Sequence, residues 1–139
     1  MLFIGIDTGK HTGFAVWDSL ERKFLSIETI PIHRAMERVK DFDLIAQSHN
    51  TEIHIFFEDA RLRKWYSGDT NAKAQGAGSI KRDCTIWEDF LTDYGFKFTK
   101  VAPARGMTKW SPDYFRKVTQ WTQKCSEHAR DAALLVFNR

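Results

Sequence analysis

Four side chains, spread over the whole chain, are of the types that handle phosphate esters through metal ions: Asp7, Glu58, His128 and Asp131. Asp7 follows the apolar run Leu2-Phe-Ile-Gly-Ile6, and Glu58 follows Ile53-His-Ile-Phe-Phe57. A carboxylate delivered by a buried strand is costly unless a cation or strong donors stand beside it. Two such carboxylates side by side repel each other, and a shared cation relieves both. Asp59 replaces Glu58 in this role if the strand register is off by one. His128 and Asp131 are three apart in Glu127-His-Ala-Arg-Asp131, so on a helix they share a face. Carboxylates with an imidazole suit Mg2+ or Mn2+ better than zinc. Two such ions can hold the attacking water and the leaving oxygen of one phosphate. Taken singly, each acid has a plain structural use as a cap or ion-pair partner, and His128 as a packed polar residue. The three placements together are what point to metal-dependent phosphate chemistry.

The elements that must position these groups follow from the patterning. Residues 2–7 and 12–18 read as strands joined by the Gly9–Thr12 turn, and 22–30 as a third, alternating strand. Pro31 starts a helix whose apolar face is marked by Ile32, Met36, Val39, Asp43 and Ala46. Residues 52–58 form a fourth strand, 59–71 a polar, basic and aromatic loop, and 72–94 a helix. In that helix Ala77, Ile80, Cys84, Trp87 and Leu91 repeat at three and four. Gly95 ends it, and 96–102 form a fifth strand stopped by Pro103. Ser111-Pro112 is a helix start, a cap followed by a first-turn proline. Ser126 caps a last helix with the stripe Ala129, Ala132, Ala133 and Val136. The order is βββαβαβαα: an antiparallel meander, then two strands reached through helices and therefore parallel to their neighbours. On that arrangement Asp7 and Glu58 emerge together at the carboxyl ends of adjacent strands, where ligand sites form in such sheets.

With 139 residues, the chain fits a single domain spanning 1–139, large enough for one real core. No apolar run approaches the length of a membrane span. Met1 leads directly into a strand, with no signal-peptide pattern, and Cys84 and Cys125 lack metal-ligand spacing. Two reduced thiols in a cytoplasmic setting are expected. The net charge of +3 is modest but uneven. One tract carries Arg61, Arg63, Lys64, Lys73, Lys81 and Arg82 around Trp65 and Tyr66. A second carries Lys97, Lys100, Arg105, Lys109, Arg116, Lys117 and Lys124 around Trp110, Tyr114 and Trp121. Cations interleaved with aromatics suit a polyanion with stackable bases, although a solvated face with ordinary surface rings has the same composition.

The element order, with acids after the first and fourth strands and on the last helix, resembles the ribonuclease H-like superfamily. Within it the chain is most similar to the RuvC-like Holliday junction resolvases, including the small phage and viral versions. The segments that carry the likeness are Phe3-Ile-Gly-Ile-Asp7-Thr-Gly9 with Thr12-Gly13, Ile55-Phe-Phe-Glu58, Ala74-Gln-Gly-Ala-Gly78, and His128-Ala-Arg-Asp131-Ala-Ala-Leu. The first segment is shared with sugar kinases and actin-like ATPases; the helix-opening glycines and the final His-x-x-Asp are more specific. The likeness covers nearly the whole chain and implies a five-stranded mixed sheet in the order 3-2-1-4-5 flanked by helices.

It also implies an endodeoxyribonuclease that cuts four-way or other branched DNA with Mg2+ or Mn2+, two ions per active site. Asp7, Glu58, His128 and Asp131 would be the ligands, and His128 stands where many members carry an Asp. Lys10 and the basic residues Arg61, Arg63, Lys64, Lys73, Lys81, Arg82, Arg105, Lys109, Arg116 and Lys117 would follow the DNA, with Trp65 or Tyr66 entering the junction. The helix after the fourth strand would build a homodimer through Gly76, Ala77, Gly78 and Ile80, in the cytoplasm of a bacterial or phage-infected cell. The YqgF-like ribosomal-RNA nucleases share the opening motif, but their Gly-Leu-Pro and Asp-Glu-Arg signatures are missing here. A non-catalytic binding module on the same fold conflicts with the intact acid set. A kinase or ATPase fragment conflicts with the length.

Overall fold

The structure is a computed structural model. It describes residues 1–63, 71–104 and 109–139, the side chains of 71–77 excepted. Lys64, Trp65, Tyr66 and Arg105, and the side chains of Lys73, Gly76 and Ala77, therefore lie outside the described residues.

The element order is β1 (Leu2–Asp7), β2 (His11–Asp18), β3 (Lys23–Pro31), α1 (Ile32–Ser48), β4 (Ile53–Glu58), α2 (Asn71–Asp93), β5 (Phe98–Val101), α3 (Pro112–Thr119) and α4 (Glu127–Leu134). One 3-10 turn, Ala60–Leu62, interrupts the segment after β4. The five strands form one sheet in the order β3-β2-β1-β4-β5. The β1–β2 and β2–β3 pairs are antiparallel; β1–β4 and β4–β5 are parallel. Helices cover both faces, so the central strands are apolar at almost every position rather than at every second one.

Side-chain alternation sorts β1 and β4 into two faces. Leu2, Ile4 and Ile6 join Ile53, Ile55 and Phe57 in the larger core, under α1 and α2. Phe56 belongs to the opposite core with Ala129, Ala132, Ala133 and Val136 of α4. By the same alternation Gly5, Asp7 and Glu58 face the α4 side. Sequence patterning misphased one helix. The buried face of α1 is Ala35, Val39, Phe42 and Ala46, not the stripe that runs through Ile32, Met36 and Asp43. Ile32 and Met36 pack only partly against the core. The aromatic Phe42 wins the inward position beside Phe14, their ring centroids 6.2 Å apart, and Asp43 moves outward.

The third strand also departs from simple alternation. The β2–β3 register shifts between Val16 and Trp17, whose partners are Ser26 and Phe24. Leu25 is the extra residue of this bulge, and it turns outward at 39% exposure. Phe24 and Ile27 consequently enter the same core although they are three apart. At the helix ends the expected caps are present. Ser111 accepts the amide of Tyr114, and Ser126 accepts that of Ala129. Gly95, at φ 71°, takes the left-handed position after α2. Among the described residues, no helix is long and apolar enough to cross a membrane. Both cysteines are unpaired.

Candidate active site

The last helix lies directly on the sheet because β1 and β2 carry glycines beneath it. A Cβ added at Gly5 would stand 2.0 Å from the Ala132 carbonyl oxygen, and one at Gly13 would stand 2.0 Å from that of His128. Any side chain there would lift α4. Seated this closely, the helix brings His128 onto Asp7: its Nδ1 lies 2.9 Å from Asp7 Oδ2, across 121 residues of chain.

Asp7 ends β1, and Glu58 follows Phe57, the partner of Ile6 in the parallel β1–β4 ladder. The two acids thus leave adjacent strand ends on one face. Thr8 ties these ends together, its hydroxyl donating to the Glu58 carbonyl oxygen at 3.1 Å. Asp7, Glu58, His128 and Asp131 all line one cleft of about 230 Å³, together with Thr8, Arg63, Ile80, Lys81 and Lys109. Asp59 is not the alternative to Glu58. It is fully buried behind the cleft, where Arg61 grips both of its carboxylate oxygens.

The electrostatics of the cleft are those of acids in want of a counter-charge. Burial pushes the Asp7 carboxyl above its ordinary range and the Asp131 charge adds to the push; the His128 hydrogen bond opposes it. Glu58 is raised by burial, then by the charges of Asp7 and Asp131, with Arg63 and Lys109 pulling the other way. Lys109 is the ammonium that answers them. It bonds Glu127 and lies 3.2 Å from Asp131 Oδ2, and the Glu127 hydrogen bond holds its own pKa above the usual lysine value.

Among the described residues, no three His, Cys, Asp or Glu side chains converge on one point. The imidazole rests on Asp7 and the ammonium rests on Asp131. The donor set nevertheless fits divalent cations. Three carboxylates and an imidazole share the cleft, and two of the acids are destabilised by burial and then by neighbouring negative charge, which a cation would offset.

The other candidate residues divide by place. Arg63, Lys81 and Lys109 rim the cleft, and so does Ile80, for which the resemblance implies a dimer contact. Lys10 is exposed in the β1–β2 turn, Arg82 on α2, and Arg116 and Lys117 on α3. Gly78 is exposed, and among the described residues a Cβ there would meet nothing within 4 Å. Arg61 is spent inside the protein, on Asp59 and on Glu88, which Lys100 also reaches at 3.4 Å. Sequence reasoning missed Thr8 and the two glycine seats. Gly5 and Gly13 stood in the sequence beside apolar strand residues, and only the helix above gives them meaning.

No protein-family model matches the chain, and no curated protein matches it by sequence. Solved structures do match. RuvC of Thermus thermophilus, in complex with a Holliday junction substrate, superposes with a TM-score of 0.56 at 16% identity. That match covers 99% of this chain and 91% of the other. A second Thermus thermophilus RuvC structure superposes with a TM-score of 0.52 at 13% identity, covering 99% and 92%. The five-stranded mixed sheet and its helices therefore have the ribonuclease H-like fold of RuvC, as the sequence resemblance implied.

Proposed function

We propose that this chain is a metal-dependent, structure-selective endonuclease that hydrolyses phosphodiester bonds in four-way or other branched DNA. The observation that carries the reading is the convergence of Asp7, Glu58, His128 and Asp131, from three distant segments, on one cleft rimmed by Arg63, Lys81 and Lys109. A fold alone can host many activities; an acid set at the strand ends of this fold, with cations around it, matches phosphoryl chemistry. The similarity to a RuvC structure that holds a Holliday junction supports branched DNA as the substrate class.

Asp7, Glu58 and Asp131 would hold the cations, with His128 completing the set. Bound there, Mg2+ or Mn2+ would neutralise charge that gathers on the phosphate during hydrolysis. The chain's own groups do the rest. Lys109, 3.2 Å from Asp131 Oδ2 at the cleft rim, would contact a phosphate oxygen. Arg63 and Lys81 fix the backbone on either side. His128, oriented by Asp7 through Nδ1, would bind through its second ring nitrogen. Two symmetric cuts call for two active sites, which a two-fold dimer supplies. The exposed backbone at Gly78 is our candidate for that contact.

The test is incubation of the purified protein with labelled four-way, forked and duplex DNA and with structured RNA, each with Mg2+, Mn2+ or EDTA. Paired cuts in four-way or forked DNA that require the metal support the reading. Cutting of RNA hairpins alone, by a monomer that ignores four-way DNA, replaces it with a ribosomal-RNA nuclease. Binding without cutting in either metal replaces it with a non-catalytic module.

A further inference from the structure

A second groove opens directly off the catalytic cleft. Helix α4 sits over β1, β2 and β3, which leaves the β4–β5 strip of the same sheet face beside it rather than beneath it. The resulting cavity holds about 420 Å³, within the range of roughly 300–1,000 Å³ typical of small-molecule sites. It shares Glu58, Arg63, Lys109 and Asp131 with the catalytic cleft, so the two spaces adjoin.

The groove changes character along its length. Its cleft end is charged. Its walls farther on are apolar, with Val101 and Pro103 on one side and Leu134 and Leu135 on the other. Its far end carries a fixed cation, Arg139. The Arg139 Nε donates to the Leu135 carbonyl oxygen at 2.7 Å. Its guanidinium carbon lies 3.8 Å from the centre of the Phe56 ring, a cation–π contact that holds the group against the sheet.

We propose that this groove receives the unpaired base of a nucleotide adjacent to the attacked phosphate. The inference rests on the nuclease reading above and adds a determinant of substrate choice. A sugar-phosphate strand alone has no use for apolar walls, and an apolar peptide has no use for the charged mouth. A nucleotide has a phosphate for Arg63 and Lys109, a flat apolar body for the leucine and valine walls, and polar base edges for the Arg139 fork. A base held in a duplex stack cannot enter. The groove thus favours DNA whose pairing is already broken next to the cut, as at a branch point.

The test uses cleavable branched junctions in which each nucleotide flanking the mapped cut is replaced, one at a time, by an abasic residue. Two variants accompany the wild type. Ala102→Trp fills the groove from an exposed wall position, and Arg139→Ala removes the far cation; neither residue belongs to the acid set. For wild type, loss of one particular base is expected to lower kcat/KM about tenfold, the order set by one stacked base. Ala102→Trp should show that loss on the intact junction and no further loss on the abasic one, the non-additivity of a shared contact. Arg139→Ala should show part of it, which covers the case in which the tryptophan variant folds poorly. Wild-type cutting that is indifferent to every abasic position, or losses that simply multiply, would overturn the inference and leave the nuclease reading standing. A change of oligomeric state in Ala102→Trp with cutting intact would assign the groove to a protein partner instead. A protein that cuts no branched DNA removes the nuclease reading and this inference together.

Discussion

Replacing Gly13 by alanine tests the seating of the last helix with one carbon atom. The added Cβ would lie 2.0 Å from the His128 carbonyl oxygen and 2.5 Å from its carbon. Real Cβ contacts essentially never fall under 3.0 Å, so α4 must retreat by about 1 Å. Both obstructing atoms are backbone, and no side-chain rotation relieves them. The retreat carries His128 and Asp131 away from Asp7. The 2.9 Å His128–Asp7 hydrogen bond then stretches toward the limit at which such bonds hold. Misplacing a reacting group by about 1 Å costs on the order of 100-fold in rate, while overpacking costs about 1–3 kcal/mol of stability. The expected variant is therefore folded, somewhat less stable, and about 100-fold slower on labelled four-way DNA. Gly78→Ala is the control for stability: among the described residues its Cβ meets nothing within 4 Å, and exchange of a helical glycine for alanine stabilises by roughly 0.5–1 kcal/mol. The cutting rate of Gly13→Ala and the urea midpoints of both variants decide the matter. A Gly13→Ala protein with the wild-type rate and midpoint would refute the claim that the glycines set the distance between helix and acid.

Asp7→Asn and Asp131→Asn should each abolish cutting while retaining junction binding in a gel-shift assay, and His128→Asp should keep activity and shift metal preference toward Mg2+. If about five phosphates are neutralised, the junction affinity measured against salt should have a log–log slope near −4 to −5. Reversing Lys81 with Arg82, or Arg116 with Lys117, should flatten that slope. Arg61→Ala should act differently: it strands the buried Asp59 carboxylate, costing about 3 kcal/mol in urea unfolding, with little change in the salt slope. Gly78→Leu should weaken a solution dimer in analytical ultracentrifugation and leave the unfolding midpoint of the protomer near wild type.

Much of this architecture was legible before any coordinates. Strands rich in apolar residues with an acid at the end declare both their burial and their polar terminus, and Ser111-Pro112 and Ser126 declare helix starts by local chemistry. The phase of α1 was not legible, because Met36 and Phe42 compete for the core and only the shape of the opposing sheet decides between them. The bulge at Leu25 was hidden for a related reason: alternation presumes an unbroken register. Arg61 looked like a phosphate ligand because Glu88, its second partner, is 27 residues away. In the sequence Lys109 is one cation of a basic tract, and its place against Asp131 depends on the docked helix. Local rules reached what local sequence encodes, and the acid–cation pairings depend on which distant surfaces meet.

The span of the His128–Asp7 contact bears on the order in which this protein becomes chemically competent. Its two partners come from the first strand and the last helix, 121 residues apart. A growing chain can complete β1–β4 and bury much of the larger core while two of its four acid-set members are still unmade or undocked. Contacts between such distant segments carry the largest loop-closure cost and form late. A chain caught part-way through folding would therefore be a sheet with two lone carboxylates, inert toward nucleic acid chemistry. The proposed acid set would be complete only when the glycine-seated helix comes down.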